Sequence, residues 1–207
     1  MIVAALAFAV VQPIKVLPRV RLAPGFALTD SQGATVTSED ARGAVTLYTF
    51  APSTCTTDCE AINATMAEVQ RRVAAEVDLE GIPFQLITIA IDSPTSGELA
   101  AAQQRSGADG TRWQWLTADQ ITLKSVVGSG FGRFFSLAST SGAPSFDPGF
   151  VLVDGWGVVR GDYRYQTIAT DADKIVSHVG ILADEVRYGH GAASVAYEAA
   201  HLFLCYP

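Results

Sequence analysis

Hydrophobic residues in this chain follow two alternating rhythms. Ala44 to Phe50, "AVTLYTF", is an almost unbroken apolar and β-branched run, the pattern of a central strand covered on both faces. Downstream, Ile62, Met66, Val69, Val73 and Val77 recur at four- and three-residue steps. That spacing predicts one apolar stripe on a helix, with Glu68, Arg71, Arg72 and Glu76 on its wet side. "PFQLITIAI", Pro83 to Ile91, predicts a second core strand that ends at Asp92. Before these, Gly25 to Thr37 reads as a hairpin around the turn-forming "DSQG".

The rest alternates in the same way. "SGELAAAQQRSG" predicts a short helix stopped by Gly107, and "WQWLT" a strand at the sheet edge. "DQITLKSVVG" predicts a short helix from Asp119 to Gly128. "GFVLVD", the turn "GWG" and "VVRGDYR" form a second hairpin. "DADKIVSHVGILADEV" starts on an acidic cap and sets Ile175, Val179, Leu182 and Val186 on one face. A strand, a helix and another core strand, then a hairpin and a closing helix, is the thioredoxin-like order. It predicts an α/β fold with a mixed central sheet flanked by helices and an N-terminal hairpin.

Composition narrows the function classes. The chain has 207 residues, 49% of them hydrophobic, and a net charge of -7 from 21 acidic and 14 basic side chains. No basic stripe exists, which argues against nucleic acid as a partner. Eleven apolar residues precede Gln12, fewer than the roughly twenty that cross a bilayer. With small-x-small patterns at Ala5 to Ala7 and Ala7 to Ala9, they read as a secretion signal or the remnant of a membrane anchor. The organisation expected is a signal-like or anchor segment with linker at 1–21, one domain at 22–187, and an apolar tail, helical in pattern, at 188–207. Membrane association through the N-terminus and an extracytoplasmic location, one that permits disulfides, follow from that reading.

Two of the three cysteines lie close together in "TFAPSTCTTDCEAI", where a strand end meets a helix start. A helix beginning near Cys55 sets Cys55 and Cys59 one turn apart on one face, with α-carbons about 6 Å apart, within disulfide range. The same spacing aims two thiolates at one point, as a soft ion such as Cu(I) prefers. Helix-start N–H groups favour thiolates, while Asp58 and Glu60 oppose them. A redox pair, a metal clamp and a buried structural pair are all compatible with this geometry.

These segments together resemble the Sco/SenC family, thioredoxin-fold factors that help assemble the copper centre of cytochrome c oxidase. The resemblance spans about Leu22 to Glu185. It is carried by "PGFALTDSQGATVTSEDARG", "CTTDC" at the family's C-x-x-x-C site, "ITIAIDSPTSGELAA", "GFGRFF" and "VLVDGWGVVRGDYR". It implies Cys55 and Cys59 as both catalytic thiols and copper ligands, Cu(I) as the metal, and an oxidase subunit or another membrane-bound electron-transport complex as partner. The implied function is a thiol–disulfide reductase, a Cu(I) chaperone, or both.

Two departures stand out. Glu60 replaces the proline that usually follows the second cysteine, and Phe146 stands where the family supplies a histidine ligand. With no histidine from Ser136 to Phe150, a Cu(II) site lacks its nitrogen donor. His178 falls in the closing helix, where a structural role is expected, and His190, His201 and Cys205 lie in the tail. The altered site and apolar ends also suit a non-catalytic interaction subunit of an electron-transport complex. Pro52, Thr56 and Cys59 resemble the peroxiredoxin pattern as well, with Arg133 as the one arginine available for that chemistry.

Overall fold

The computed structural model describes residues 15–54, 57–137, 144–188, 197, 198, 200 and 201, without the side chains of 57 and 58. Its centre is β4 (Val45–Ala51), buried at all seven positions. On one side β4 pairs in parallel with β5 (Phe84–Ala90), in register from Val45↔Phe84 to Ala51↔Ala90. On the other it pairs antiparallel with β9 (Gly149–Val153), which turns back through Asp154 to Gly157 into β10 (Val158–Arg164). Together with β1 (Arg21–Leu22), β2 (Ala27–Asp30), β3 (Thr35–Thr37) and β6 (Trp113–Thr117), they make one mixed sheet of order β1-β10-β9-β4-β5-β6-β2-β3.

β6 was expected at the edge and lies inside. The β2–β3 hairpin adds to it through Thr29↔Thr117 and Asp30↔Leu116, so its outer hydrogen-bonding side is covered. Trp113 and Trp115 are buried accordingly, and their indole N–H groups donate to Thr88 Oγ1 and Ser106 Oγ, both at 2.9 Å.

Side chains alternate along β4, so each face of the sheet receives its own core. Val45 and Leu47 join Ile62, Met66, Val69 and Val73 of α1 (Thr57–Glu76) and Ile175, Val179 and Leu182 of α4 (Ile168–Tyr188). Tyr48 and Phe50 face Leu123, Val127 and Phe131 on the other side. That side is covered by α3 (Gln120–Leu123), capped by Asp119, which does not stop at Gly128. It widens into a π turn over Lys124–Gly130, closed by Phe131 N–H donating to Val126 O at 2.9 Å. α2 (Ser96–Ser106) begins in a capping box of Thr95 and Glu98 and ends at Gly107, whose left-handed φ of 81° suits glycine.

α4 starts three residues before the expected cap. Thr167 Oγ1 accepts the Thr170 N–H, while Asp171 sits inside the first turn and accepts the N–H of Gln166 at 2.9 Å. The stripe closes at Leu182, and Val186 is about half exposed.

Packing extends back to Val16 and Leu17, both fully buried. Arg160 fixes this segment: its guanidinium donates to Leu17 O (2.8 Å) and Pro18 O (3.2 Å) and pairs with Asp154 (2.9 Å) and Glu185 (2.5 Å). Glu185 in turn accepts the Leu17 N–H at 2.7 Å. The short second sheet, β7 (Phe135–Ser136) with β8 (Ser145–Phe146), lies outside this frame.

Arg160→Ala leaves two largely buried carboxylates and two carbonyls without their cation. It is expected to lower unfolding free energy by about 3–5 kcal/mol in urea titrations. His178 gives a pH signature. It shares a 2.7 Å hydrogen bond with the Tyr163 hydroxyl, and burial, helped by Lys174, pushes its pKa down to about 4. Below its ordinary value near 6.5, unfolded chains take up a proton that the folded chain refuses, so stability falls as pH drops from about 6.5 to 4. The loss expected from this residue is up to about 3 kcal/mol. In His178→Gln that part of the urea-midpoint slope against pH disappears; an unchanged slope assigns it elsewhere.

Candidate functional site

Parallel pairing of β4 with β5 brings their carboxyl ends side by side, and the expected site residues leave from there. After Ala51 the chain runs through Pro52 to Ser53, while β5 ends two residues before Asp92. The Asp92 carboxylate accepts the Ser53 N–H at 2.9 and 3.0 Å and the Ser53 hydroxyl at 2.7 Å. Arg105, in the last turn of α2, donates to Ser53 O at 2.8 Å. A buried serine is thus held at its amide, hydroxyl and carbonyl, two residues before Cys55. Charge-assisted bonds of this kind are the stronger sort, and they fix where the cysteine loop starts.

Cys55 itself lies outside the described residues, as does Thr56. Cys59 is the third residue of α1 and fully buried among Ala51, Ala90, Leu99, Ala102 and Trp115. The polar residues that flank it in the sequence give no sign of this: Cys59 extends the helix stripe, three residues before Ile62 and seven before Met66, so its sulfur is sheltered in an apolar cluster.

Phe146 packs against all three hydrophobic clusters: the α1–α4 face, the α3 face and the group around Cys59. It pairs with Phe135, and the next residue, Asp147, donates its N–H to Phe134 O at 2.9 Å. At the position where the resemblance puts a ligand histidine, this chain has a ring that joins three cores and offers no lone pair.

The other candidate donors lie elsewhere. His178 is buried beneath β10 against Tyr163, in the structural role expected of it. His201 sits 3.4 Å from Glu185, in a groove that also touches Gly43, Val45 and Ile82. Those residues mark the amino ends of β4 and β5, about 20 Å from their carboxyl ends at 3.3 Å per residue. His190 and Cys205 lie outside the described residues. Among the described residues no group of three or more His, Cys, Asp or Glu side chains is placed to hold a metal. Arg133 is buried, donating to Phe150 O (3.1 Å) and Tyr163 O (3.2 Å) and paired with Asp162; it ties β9 to β10.

A family model described as SCO1/SenC matches residues 16–180. The chain belongs to the SCO1/SenC family. Solved structures agree on the fold. BsSco, a member of the Sco family of cytochrome c oxidase assembly proteins in which a disulfide switch is identified, is 22% identical at a TM-score of 0.68, covering 82% of this chain and 98% of its own. A SCO1/SenC family lipoprotein from Bacillus anthracis is 21% identical at 0.68, covering 79% and 95%. Yeast Sco1 with copper bound is 20% identical at 0.64, covering 86% and 99%. At these identities the likeness establishes the thioredoxin-like Sco fold. No curated protein matches the chain. Among the described residues no helix is long and apolar enough to cross a membrane.

The Asp92–Ser53 clamp was only half legible. Asp92 belongs to a quoted family segment, whereas Ser53 and Arg105 meet through tertiary structure alone. Asp92→Ala, which strips two donors of an ionised acceptor, is expected to cost about 1.5–3 kcal/mol in chemical denaturation. It should also speed limited proteolysis between Pro52 and Asp58. Unchanged cleavage there would mean that the clamp does not order the loop.

Proposed function

We propose that this chain is a Sco-type thiol protein that carries Cu(I) between Cys55 and Cys59, exchanges disulfides through the same pair, and serves assembly of a respiratory copper centre. One observation carries the reading: the SCO1/SenC match runs through 16–180 with cysteines standing at the two C-x-x-x-C positions. Copper-bound yeast Sco1 and the disulfide switch of BsSco support the two halves of the chemistry. The lipoprotein relative and the apolar N-terminal segment support an extracytoplasmic, membrane-tethered protein.

Copper here is cargo. Two thiolates satisfy Cu(I), a soft ion content with few ligands, whereas Cu(II) prefers additional nitrogen or oxygen donors in a tetragonal set. With Phe146 in place of histidine, the donor set suits Cu(I) and is deficient for Cu(II). The site then holds copper in one oxidation state and releases it to a target with more ligands.

In disulfide exchange the Cys55 thiolate attacks one sulfur of a partner's disulfide, forming a mixed disulfide and expelling a partner thiolate. The Cys59 thiolate then attacks the Cys55 sulfur, closing the Cys55–Cys59 bond and expelling the second partner thiolate. Two electrons pass to the partner. The buried Cys59 fits the resolving step, since an internal sulfur need only meet its neighbour.

An anaerobic Cu(I) titration of the reduced protein is expected to show one tightly bound equivalent, lost in Cys55→Ser with Cys59→Ser. If the double variant also leaves oxidase assembly and cellular thiol state unchanged, the chain acts as an interaction subunit instead. Phe146→His restores the missing nitrogen. The expected result is a thiolate-to-Cu(II) absorption band in the variant and none in the native protein; a native band of equal strength would contradict the proposed ligand set.

A further inference from the structure

Beside Cys59 runs a cleft of about 500 Å³ between α1 and α2, which neither copper carriage nor exchange requires. Alanines at 64, 67 and 102 leave its centre open, and Glu60, Asn63 and Arg105 furnish its polar groups. Ser53, Ala102 and Trp115 line it too, so it shares walls with the Asp92 clamp and the Cys59 cluster.

Asn63 is the informative residue. Its side-chain oxygen is buried and has no hydrogen-bond partner. An unmet acceptor of this kind is a cost to the folded chain, normally removed by a partner or by an apolar replacement. It lies one helical turn after Cys59, and a turn of its side chain toward the cleft, which Asn63 lines, would let an incoming N–H group complete it. Arg105 commits a single guanidinium nitrogen to Ser53 O, and the fork geometry of arginine suits a carboxylate with the rest. Glu60 adds an anionic rim.

We propose that this cleft binds a short extended peptide unit, with its amide N–H on Asn63, a carboxylate on Arg105 and a cationic group near Glu60. The volume falls within the usual range for small-ligand sites, about 300–1,000 Å³. Resting on the proposed thiol chemistry, the assignment identifies what is presented to the cysteine pair: a peptide carrying its own sulfur alongside. The same chemistry belongs to a free zwitterionic dipeptide or to a stretch of a partner chain.

The test uses reduced full-length protein and two probes that cannot exchange disulfides: S-methylcysteinylglycine with free termini, and lysyl-S-methylcysteinylaspartate with acetyl and amide caps, whose lysine supplies the cation. Binding is followed by calorimetry and by the NMR signals of the Asn63 carboxamide and Trp115 indole. Saturable binding that shifts both signals is expected from at least one probe. The free-ended probe alone would identify a small dipeptide ligand, and binding of the capped probe a partner segment. Ala67→Leu, on an exposed helix position, fills the cleft and should weaken binding about tenfold or more, as should Arg105→Gln. Asn63→Leu should weaken binding too, yet hold or raise the urea midpoint because the orphaned oxygen is gone. Cu(I) titration of Ala67→Leu should match the native protein. If neither probe saturates, or if Ala67→Leu and Asn63→Leu bind as the native protein does, the cleft is not a peptide site. Probe binding without any Cu(I) uptake would instead overturn the copper reading and leave the cleft assignment standing.

Discussion

Everything at the site depends on the parallel register of β4 and β5. Because Ala51 is level with Ala90, the chain leaving one strand meets Asp92 leaving the other. A two-residue slip would separate Ser53 from its acceptor. The register is protected by burial: β4 has an apolar or β-branched side chain toward each core, and a one-residue shift would exchange the two sets.

Two locks hold opposite ends of this frame. At the amino ends of β4 and β5, Arg160 joins the N-terminal segment, the β9–β10 turn and α4 in one buried ionic cluster. At the carboxyl ends, Asp92 and Arg105 grip Ser53. The first lock is structural and leaves His201 about a sheet's length from Cys59. The second fixes the backbone two residues before Cys55.

Much of the fold was legible in the sequence because its signals are local. The stripe from Ile62 to Val73, the helix start at Asp119 and the glycine stop at Gly107 each act within a turn or two. What stayed hidden was decided at a distance. "WQWLT" carries no sign that a hairpin some eighty residues earlier will cover its edge, and "TTDCEA" looks polar although α1 turns Cys59 inward. The cysteine pair was visible as a motif; Ser53, Asn63 and Arg105 were not, because a serine, an asparagine and an arginine on separate elements mean little until the sheet assembles them. Phe146 falls between these cases: counting flagged its position, and only the structure reveals that it joins three cores.

The ligand set proposed for copper follows from that last residue. A ring wedged among the α1–α4 core, the α3 core and the Cys59 cluster contributes packing at the position where the family resemblance puts a donor. X-ray absorption at the copper edge of the Cu(I)-loaded native protein tests this account most directly. Two sulfur neighbours and no nitrogen are predicted. A nitrogen in the first coordination shell, or a shell without two sulfurs, would contradict it.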